Sequence, residues 1–281
     1  MDERFVVLTE YFRSTNPSRR KEINKSIEIN CRIPQTKKVV VFIDSEVEFP
    51  PSLKRVLCQE DYAKIEFNYL PPGHRSTYSD FYAYANKHLA GENCVLCNND
   101  ISFDESLDLL RLTDGFDLSE HFVCLTRWDV MRSGSLRFKM PARIRKNSQD
   151  AWVFKAPVPI KMVEKGGFYM GRPGCDGMNS YLATISGLKI LNPSESVIAT
   201  HRHFSRHRTY NRRHRMGGDD IYMCIFPTDK IHCDKSKILY KFNEPEHGKL
   251  YGDEAIARAI EREKDNEIHW NYALEKCLRF K

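Results

Sequence analysis

The 281-residue sequence has no apolar run that approaches the roughly 20 residues needed to cross a bilayer. Its first residues, MDERFVVLTEYF, also lack the basic flank and the cleavage site of a signal peptide. With 41% apolar and 29% charged residues, the composition excludes wholesale disorder. We therefore expect a soluble, cytoplasmic protein with no membrane span.

The sequence also lacks a paired arrangement of cysteines. Its nine cysteines are an odd number scattered mostly within apolar runs, which is typical of reduced thiols in the cytosol. Cys94 and Cys97 form a C-x-x-C pair inside a run with strand character. Because residues three apart in a strand point to opposite faces, this pair is not expected to share a metal ion.

Positive charge is unevenly distributed along the chain. The net charge of +6 is mild, but HRHFSRHRTYNRRHR at 201–215 holds six arginines and four histidines. Such a concentration indicates an anionic partner.

The first hundred residues alternate between strand and helix patterns. Strand character is found in FVVLTEYF, KKVVVFID, KIEFNYL and NCVLCNND, with helical spacing between them. Asn16 and Pro17 are typical of a helix start. Strands separated by helices indicate parallel β-α-β units with right-handed crossovers. Such sheets bind ligands beyond the carboxyl ends of their strands, where Asp44 and Asp100 fall.

The rest of the chain is less regular. HFVCLTRWDV predicts a strand, DGMNSYLATISG predicts a helix that begins at Asp176, and a charged helix is predicted near the end of the chain. We expect one α/β domain over 1–235, with halves of about 1–110 and 111–235, and a C-terminal helical extension over 236–281 packed on it.

The stretch CVLCNNDISFDESLDLL places Asp100 at the exposed end of a buried strand. Carboxylate and amide oxygens suit Mg²⁺ or Mn²⁺, which share their ligand shell with substrate phosphates. Alternatively, Asn98, Asn99 and Asp100 form an Asx turn. We interpret Asp104 as the N-cap of the next helix.

Two later segments carry further candidates. Asp176, behind the loop GRPG, begins a helix, where it either accepts the proton of an attacking hydroxyl or simply caps the helix. His201 and His203 share one face of an extended segment and could complete a metal shell with Asp100. The alternatives for this segment are a solvated basic loop and a nucleic-acid-binding arm.

Taken together, roughly residues 4 to 210 resemble the metal-dependent glycosyltransferases of the GT-A fold. CNND looks like a variant of their Asp-x-Asp motif, with Asn98 in place of the first aspartate. GRPGCDGMNSYLATISGLKI looks like the Gly-rich loop and helix that carry the base of inverting members. Asp176 matches that base, and Cys175 replaces the glutamate that usually precedes it.

The resemblance implies a GT-A-like (Rossmann-like), mostly parallel sheet flanked by helices. It implies inverting transfer of a sugar from a UDP-sugar to a hydroxyl of a glycan acceptor. Asp176 would be the base, with Asp150 as its rival. Asp100, with His201 or His203 or both, would hold Mn²⁺ or Mg²⁺. The sequence also resembles cytosolic glycosyltransferases of large algal viruses, among them a β-xylosyltransferase, so UDP-xylose is a candidate donor.

The resemblance also implies ligand contacts for further residues. The nucleotide sugar would lie against Thr9, Glu10, Tyr11, Asp44, Arg75, Asn98, Asn99 and Asp100. The sugar and acceptor would lie against Trp128, Asp129, Asp150, Trp152, Gly174 and Cys175, and the diphosphate against Arg206 and Arg208. Arg75 is equally explained as a surface residue, and the tryptophans as core residues. A sugar-binding module without catalysis is a further alternative.

Overall fold

The computed structural model describes residues 3–111, 116–138, 148–205, 214–216, 219–241 and 249–279. The strands are, in chain order, β1 (Phe5–Tyr11), β2 (Thr36–Asp44), β3 (Ile65–Leu70), β4 (Asn93–Cys97), β5 (Ile101–Ser102), β6 (His121–Leu125), β7 (Arg127–Val130), β8 (Leu136–Arg137), β9 (Ala151–Lys155), β10 (Lys189–Leu191), β11 (Ala199–His201), β12 (Met223–Ile225), β13 (Ile238–Lys241) and β14 (Lys249–Tyr251). The α-helices are α1 (Pro17–Arg32), α2 (Pro51–Val56), α3 (Gln59–Ala63), α4 (Tyr78–His88), α5 (Ile160–Lys165), α6 (Cys175–Ile185), α7 (Gly252–Glu261) and α8 (Glu267–Arg279). Short 3-10 helices cover Glu105–Leu110, Asp219–Ile221 and Lys235–Lys237.

Seven strands form the central sheet in the order β10-β6-β9-β4-β1-β2-β3. β9 runs antiparallel to both of its neighbours, and every other pair in this sheet is parallel. The predicted α/β class with a mostly parallel sheet is therefore confirmed. Because β1, β2 and β4 are parallel, their carboxyl ends meet at one edge of the sheet, where such folds bind ligands.

Helix α1 follows β1 and begins at that edge, where Asn16 is its N-cap. The Asn16 side chain accepts hydrogen bonds from the backbone N–H groups of Ser18 (2.9 Å) and Arg19 (3.2 Å), and Pro17 fills the first helical position. Arg19 therefore lies in the first turn of a helix that starts just beyond β1.

The predicted strand HFVCLTRWDV is divided at Thr126. β6 belongs to the central sheet, whereas β7 joins a four-stranded sheet of order β5-β11-β7-β8. Where the chain changes sheets, the Thr126 N–H donates to Ser194 Oγ at 2.6 Å. Side chains alternate along a strand, so Arg127 and Asp129 share one face of β7. Pairing of β11 with β7 then brings His201 beside Asp129.

The C-terminal part packs against α6. It contains the predicted charged helix, α7, a second helix, α8, and two strands of a small antiparallel sheet of order β12-β13-β14. Tyr181 on α6 stacks on Tyr240 with ring centroids 6.0 Å apart, and its hydroxyl donates to the Ala259 carbonyl at 3.3 Å. Because β12 precedes β13 and β14, this sheet crosses the boundary that we predicted at residue 235.

Both faces of the central sheet are covered by apolar layers. Cys94 and Leu96 of β4 pack into one layer, and Val95 and Cys97 into the other. The two cysteines thus point to opposite faces, and all nine cysteines are free thiols. None of the helices in the described residues has the length and apolar character needed to cross a membrane.

Asn30, on the last turns of α1, fixes the helix to β5. Its side chain is 1% exposed, donates to the Ile101 carbonyl (3.0 Å) and accepts from the Phe103 N–H (3.1 Å). We expect Asn30→Ala to lower the free energy of unfolding by about 2 to 4 kcal/mol, because two buried backbone groups lose their partner. Chemical denaturation measures this loss. Asn24→Ala on the same helix is the control, and an equal loss in both variants contradicts the role of Asn30.

Candidate active site

Asp100 lies just beyond β4, and only 4% of its surface is exposed. Its Oδ2 atom is 2.7 Å from Arg19 Nη1, 3.1 Å from His201 Nε2 and 3.3 Å from His203 Nδ1. Burial alone would raise the pKa of Asp100, but His201, His203 and Arg19 hold this pKa well below its usual range. Asp100 is therefore an ionised carboxylate in a nearly dry setting.

His201 is held between two carboxylates. Its Nδ1 atom is 2.9 Å from Asp129 Oδ1, while Nε2 faces Asp100. Burial alone would lower the pKa of His201, yet Asp100 and Asp129 raise it to about 9. A carboxylate on one ring nitrogen orients the other nitrogen, as is usual for histidines that bind metals.

Asp100, His201 and His203 form a cluster of metal-ligand type. Their three ligand atoms lie within 4.8 Å of one another. Imidazole nitrogens are donors for transition-metal dications, and a carboxylate oxygen is a donor for Mn²⁺ or Mg²⁺. His203 Nε2 is buried and has no hydrogen-bond partner within the described part of the chain. The residues present therefore fit a divalent cation.

The two asparagines before Asp100 hold neighbouring charged groups. Asn99 Oδ1 accepts from Arg19 Nη2 at 3.1 Å, and Asn98 Nδ2 donates to Asp150 Oδ1 at 2.9 Å. The turn itself is closed by the backbone, with the Ile101 N–H donating to the Asn98 carbonyl at 3.1 Å. These side chains thus serve the site rather than forming an Asx turn.

Of the two predicted helix caps, one is confirmed and one is wrong. Asp104 caps a 3-10 helix by accepting from the Ser106 N–H at 3.0 Å. The N-cap of α6 is instead Gly174, at φ +95°, and no side chain caps this helix. Asp176 is one residue inside the helix, and its Oδ1 accepts from Cys175 Sγ at 3.0 Å. Its carboxylate is not consumed by capping.

Asp150 is paired with a specific cation. Arg127 Nη1 lies 3.0 and 3.2 Å from the two Asp150 oxygens, and Arg127 Nε donates to Asp129 Oδ1 at 3.1 Å. Asp150 also receives the Asn98 hydrogen bond. Both Asp150 oxygens therefore already have a cationic partner.

Asp176 differs from Asp150 in its surroundings. Burial and the nearby Asp150 charge raise the pKa of Asp176 to about 7, against the lowering effects of Cys175 and Arg127. A carboxyl with this pKa exchanges its proton near neutral pH, which is what a general base requires.

These groups line one open pocket of about 950 Å³. Four arginines face it: Arg19, Arg75, Arg127 and Arg172. Arg172 is 7% exposed, and burial together with Arg75 lowers its pKa. A pocket with this charge is suited to a polyanion such as a diphosphate.

A neighbouring pocket shares Glu10 and Arg75 with the first and is also lined by Tyr11 and Asp44. Asp44, at the carboxyl end of β2, accepts from the Gly73 N–H at 2.6 Å. The structure thus brings four of the predicted nucleotide-contacting residues together beside the arginine-lined pocket.

Arg75 is more than a surface residue. Its Nη2 donates to the Met170 carbonyl at 2.9 Å, and its guanidinium lies 5.4 Å from the centre of the Tyr169 ring. These contacts hold Arg75 where the two pockets meet.

Three predicted ligand contacts are contradicted by burial or direction. Thr9 and Trp152 are 1% and 0% exposed, because both lie inside central strands. Trp152 packs edge-on against Tyr78 with ring centroids 5.1 Å apart. Trp128 donates its Nε1–H to the Ser194 carbonyl at 2.7 Å, on the face of β7 opposite Arg127 and Asp129. The alternative interpretation of both tryptophans, as packing residues, is the one that the structure supports.

Two other residues predicted to contact the ligand, Gly174 and Cys175, instead stabilise the structure beside the pocket. Gly174 needs its positive φ, and a Cβ there would collide with the Met216 carbonyl. Cys175 is 1% exposed, its thiol donates to Asp176, and burial raises its pKa. Neither lines the pocket as described. Asp129 likewise acts through His201. The predicted diphosphate residues, Arg206 and Arg208, lie outside the described residues.

Sequence patterns did not predict Arg19, Glu22, Arg127 and Arg172. Arg19 carries a signal only in retrospect, because the first turn of a helix that follows a parallel strand lies at the ligand-binding edge. Glu22 lies three residues further along the same helix. Arg127 alternates with Asp129 on a strand, which places both on one face. Arg172 stands inside the GRPG loop whose helix had already been singled out.

Comparisons with known proteins address the fold. No protein-family model matches the sequence, and no curated protein matches it. Among solved structures, GalNAc-T7 with UDP, GalNAc and Mn²⁺ is similar over 74% of this chain and 44% of that chain, with a TM-score of 0.50 and 8% identity. At this identity the similarity shows a shared fold, which agrees with the predicted GT-A-like class.

Two further solved structures match at lower TM-scores. A mannosyltransferase from Pyrobaculum calidifontis, in complex with GDP-Man and Mn²⁺, matches 75% of this chain and 59% of that chain at 16% identity and a TM-score of 0.46. TarS 1-349 of S. aureus, in complex with UDP-GlcNAc, matches 73% and 60% at 14% identity and a TM-score of 0.45. This chain therefore spans between 44% and 60% of the length of these three proteins.

The raised pKa of Asp176 predicts a cost in stability. An unfolded chain would ionise this group near its ordinary pKa of 3.8, whereas the folded chain does so at about 7. The folded state therefore loses stability as the pH rises from about 4 to about 7. We expect Asp176→Asn to raise the free energy of unfolding by about 2 to 4 kcal/mol above pH 7, and by little near pH 4.

Urea denaturation of both proteins at pH 4.5 and pH 8 measures this difference. The exposed Asp229→Asn is the control and should change the free energy of unfolding at neither pH. A gain for Asp176→Asn that is the same at both pH values contradicts the burial of a titrating carboxyl.

Proposed function

We propose that this protein is an inverting glycosyltransferase that moves a sugar from a UDP-sugar to a hydroxyl of a glycan acceptor. The observation that supports it is one pocket holding a metal-ligand cluster, four arginines and a carboxyl with a pKa of about 7. A dication and arginines suit the diphosphate of a nucleotide sugar, and the carboxyl suits an acceptor hydroxyl. The fold shared with GalNAc-T7 agrees with it.

In this proposal Asp100, His201 and His203 hold a divalent cation, Mn²⁺ or Mg²⁺. When bound, such an ion neutralises the charge that develops on a leaving diphosphate. Arg75 and Arg172 lie in the same pocket and are the protein's own cations for the phosphates. Glu10, Tyr11 and Asp44 line the adjoining pocket, where the nucleoside is expected.

Asp176 is the proposed base, rather than Asp150. Arg127 contacts both oxygens of Asp150, so proton uptake there would break an ion pair. Asp176 lines the pocket with a pKa of about 7, so its ionised form is available near neutral pH. An ionised Asp176 would accept the proton of the acceptor hydroxyl as that oxygen attacks the anomeric carbon and the bond from this carbon to the UDP oxygen breaks.

Nucleic-acid binding by 201–215 stays the alternative. His201 and His203, which open this segment, are turned into the pocket toward Asp100. This arrangement favours a role in the pocket over an exposed arm. UDP-xylose as the donor and the cytoplasm as the location also stay predictions.

The choice of base predicts different outcomes for two variants. We expect Asp176→Asn to lower kcat by about 10²- to 10⁴-fold, the range that general bases contribute. For the unchanged protein, kcat should rise with pH around 7, because the base must be ionised. Asp150→Asn should retain transfer and shift this rise to lower pH, because removing the Asp150 charge lowers the pKa of Asp176. Transfer rates measured between pH 5 and 9 test both; near-normal transfer by Asp176→Asn assigns the base elsewhere.

The donor class is tested by thermal unfolding with a panel of sugar nucleotides. In the presence of MnCl₂, we expect a UDP-sugar to raise Tm by several degrees, because a ligand that binds the folded state stabilises it. UDP-xylose, UDP-glucose, UDP-GlcNAc and GDP-mannose form the panel, and single-stranded RNA and DNA test the alternative. Stabilisation by nucleic acid alone contradicts the proposal. Stabilisation by a UDP-sugar without hydrolysis or transfer would indicate a binding module.

A further inference from the structure

The Arg19 guanidinium stands inside the proposed metal cluster. Its Nη1 atom is 2.7 Å from Asp100 Oδ2 and 3.2 Å from His203 Nδ1, so it contacts two of the three residues of the cluster. The Arg19 side chain is 11% exposed and that of Asp100 is 6% exposed, so this ion pair is largely shielded from water. The protein thus carries its own cation where the proposed function requires a metal ion.

The contact between Arg19 and His203 also occupies a nitrogen lone pair on the imidazole ring. A guanidinium only donates hydrogen bonds, so His203 Nδ1 accepts one when it faces Arg19. A neutral imidazole has one such nitrogen lone pair, and a metal ion can bind His203 only through it. One nitrogen lone pair cannot accept from Arg19 and bind a metal at once.

Arg19 also has partners that it can keep after leaving Asp100. Glu22 Oε2 lies 3.3 Å from its Nη1, and Asn99 Oδ1 lies 3.1 Å from its Nη2. Glu22 is 6% exposed and accepts from the backbone N–H groups of Phe204 (2.7 Å) and Ser205 (2.6 Å). A second fixed carboxylate therefore stands one helical turn from Arg19, ready to hold its charge.

We propose that Arg19 competes with a divalent cation for Asp100 and His203, so that the metal binds only when the guanidinium withdraws from them. This inference rests on the metal site of the proposed function. It makes Arg19 a residue that weakens metal binding in the resting protein. The observed metal affinity is then the intrinsic affinity reduced by the fraction of molecules in which Arg19 has withdrawn.

The test is direct Mn²⁺ binding to the full chain, measured by the electron paramagnetic resonance signal of free Mn²⁺. We expect Arg19→Gln to bind Mn²⁺ about ten-fold more tightly or better, because the competing cation is gone. Arg19→Lys should lie between the two, since a lysine keeps the charge but lacks the fork that reaches two atoms. Circular dichroism and thermal melting check that each variant is folded, and Arg19→Lys keeps the test decisive if Arg19→Gln does not fold.

Arg20→Gln is the matched control. It removes the same charge from the next position of α1, but Arg20 donates to the Ser14 carbonyl at 2.8 Å and takes no part in the cluster. Its Mn²⁺ affinity should stay within about two-fold of the unchanged protein, which separates competition from a general change of the electrostatic field. The double variant Arg19→Gln/Asp100→Asn should lose the gain, which locates it at this cluster.

Unchanged or weaker Mn²⁺ binding by Arg19→Gln overturns the inference, as does the absence of Mn²⁺ binding in both proteins at millimolar metal. The binding data stand apart from catalysis. If Arg19→Gln gains affinity and no sugar nucleotide is bound or turned over, the competition holds and the proposed function fails.

Discussion

Burial of the Asp100 carboxylate is the constraint on which the site depends. A charge removed from water is tolerated only where opposite charges and hydrogen bonds replace the lost solvent. Here Arg19 arrives from α1, and His201 and His203 arrive from β11 and the chain just after it. The buried charge at the end of β4 is therefore neutralised by side chains from the start of α1 and from the end of β11 and the residues after it.

From Asp100 the charges continue in alternation across the floor of the pocket. His201 bridges Asp100 to Asp129, and Arg127 bridges Asp129 to Asp150. Each group is held by neighbours of opposite sign or by hydrogen bonds, which fixes the side chains before any ligand binds. The chain of contacts joins the metal-ligand cluster to Asp150, and burial together with the Asp150 charge raises the pKa of Asp176. One connected network therefore holds the side chains of the metal-ligand cluster and reaches the carboxyl with the raised pKa.

Much of this arrangement could be predicted from local patterns. Strand patterns and the carboxyl-edge rule located Asp44 and Asp100, and the GRPG loop pointed to Asp176. The surroundings of individual side chains were harder to predict. An aromatic residue in a strand has the same sequence pattern whether it packs in the core or contacts a ligand. Trp152 and Trp128 were assigned to the ligand, yet one is fully buried and the other faces away from the pocket. The cap interpretation of Asp176 failed because the N-cap is Gly174, at positive φ and two residues earlier.

Arg19 illustrates why the rest could not be predicted. It contacts Asp100 across 81 positions of sequence, and nothing in its own neighbourhood distinguishes it from Arg20. The difference arises from helical rotation. Arg20 turns toward the backbone of residues 14 and 15, whereas Arg19, about 100° around the helix, turns toward the end of β4. The role of Asn98 likewise depends on a residue that is distant in the sequence. The Asn98 amide donates to Asp150, which an ionised carboxylate could not do. The asparagine in the Asp-x-Asp-like motif therefore gives the network a neutral donor, where a second aspartate would have repelled Asp150.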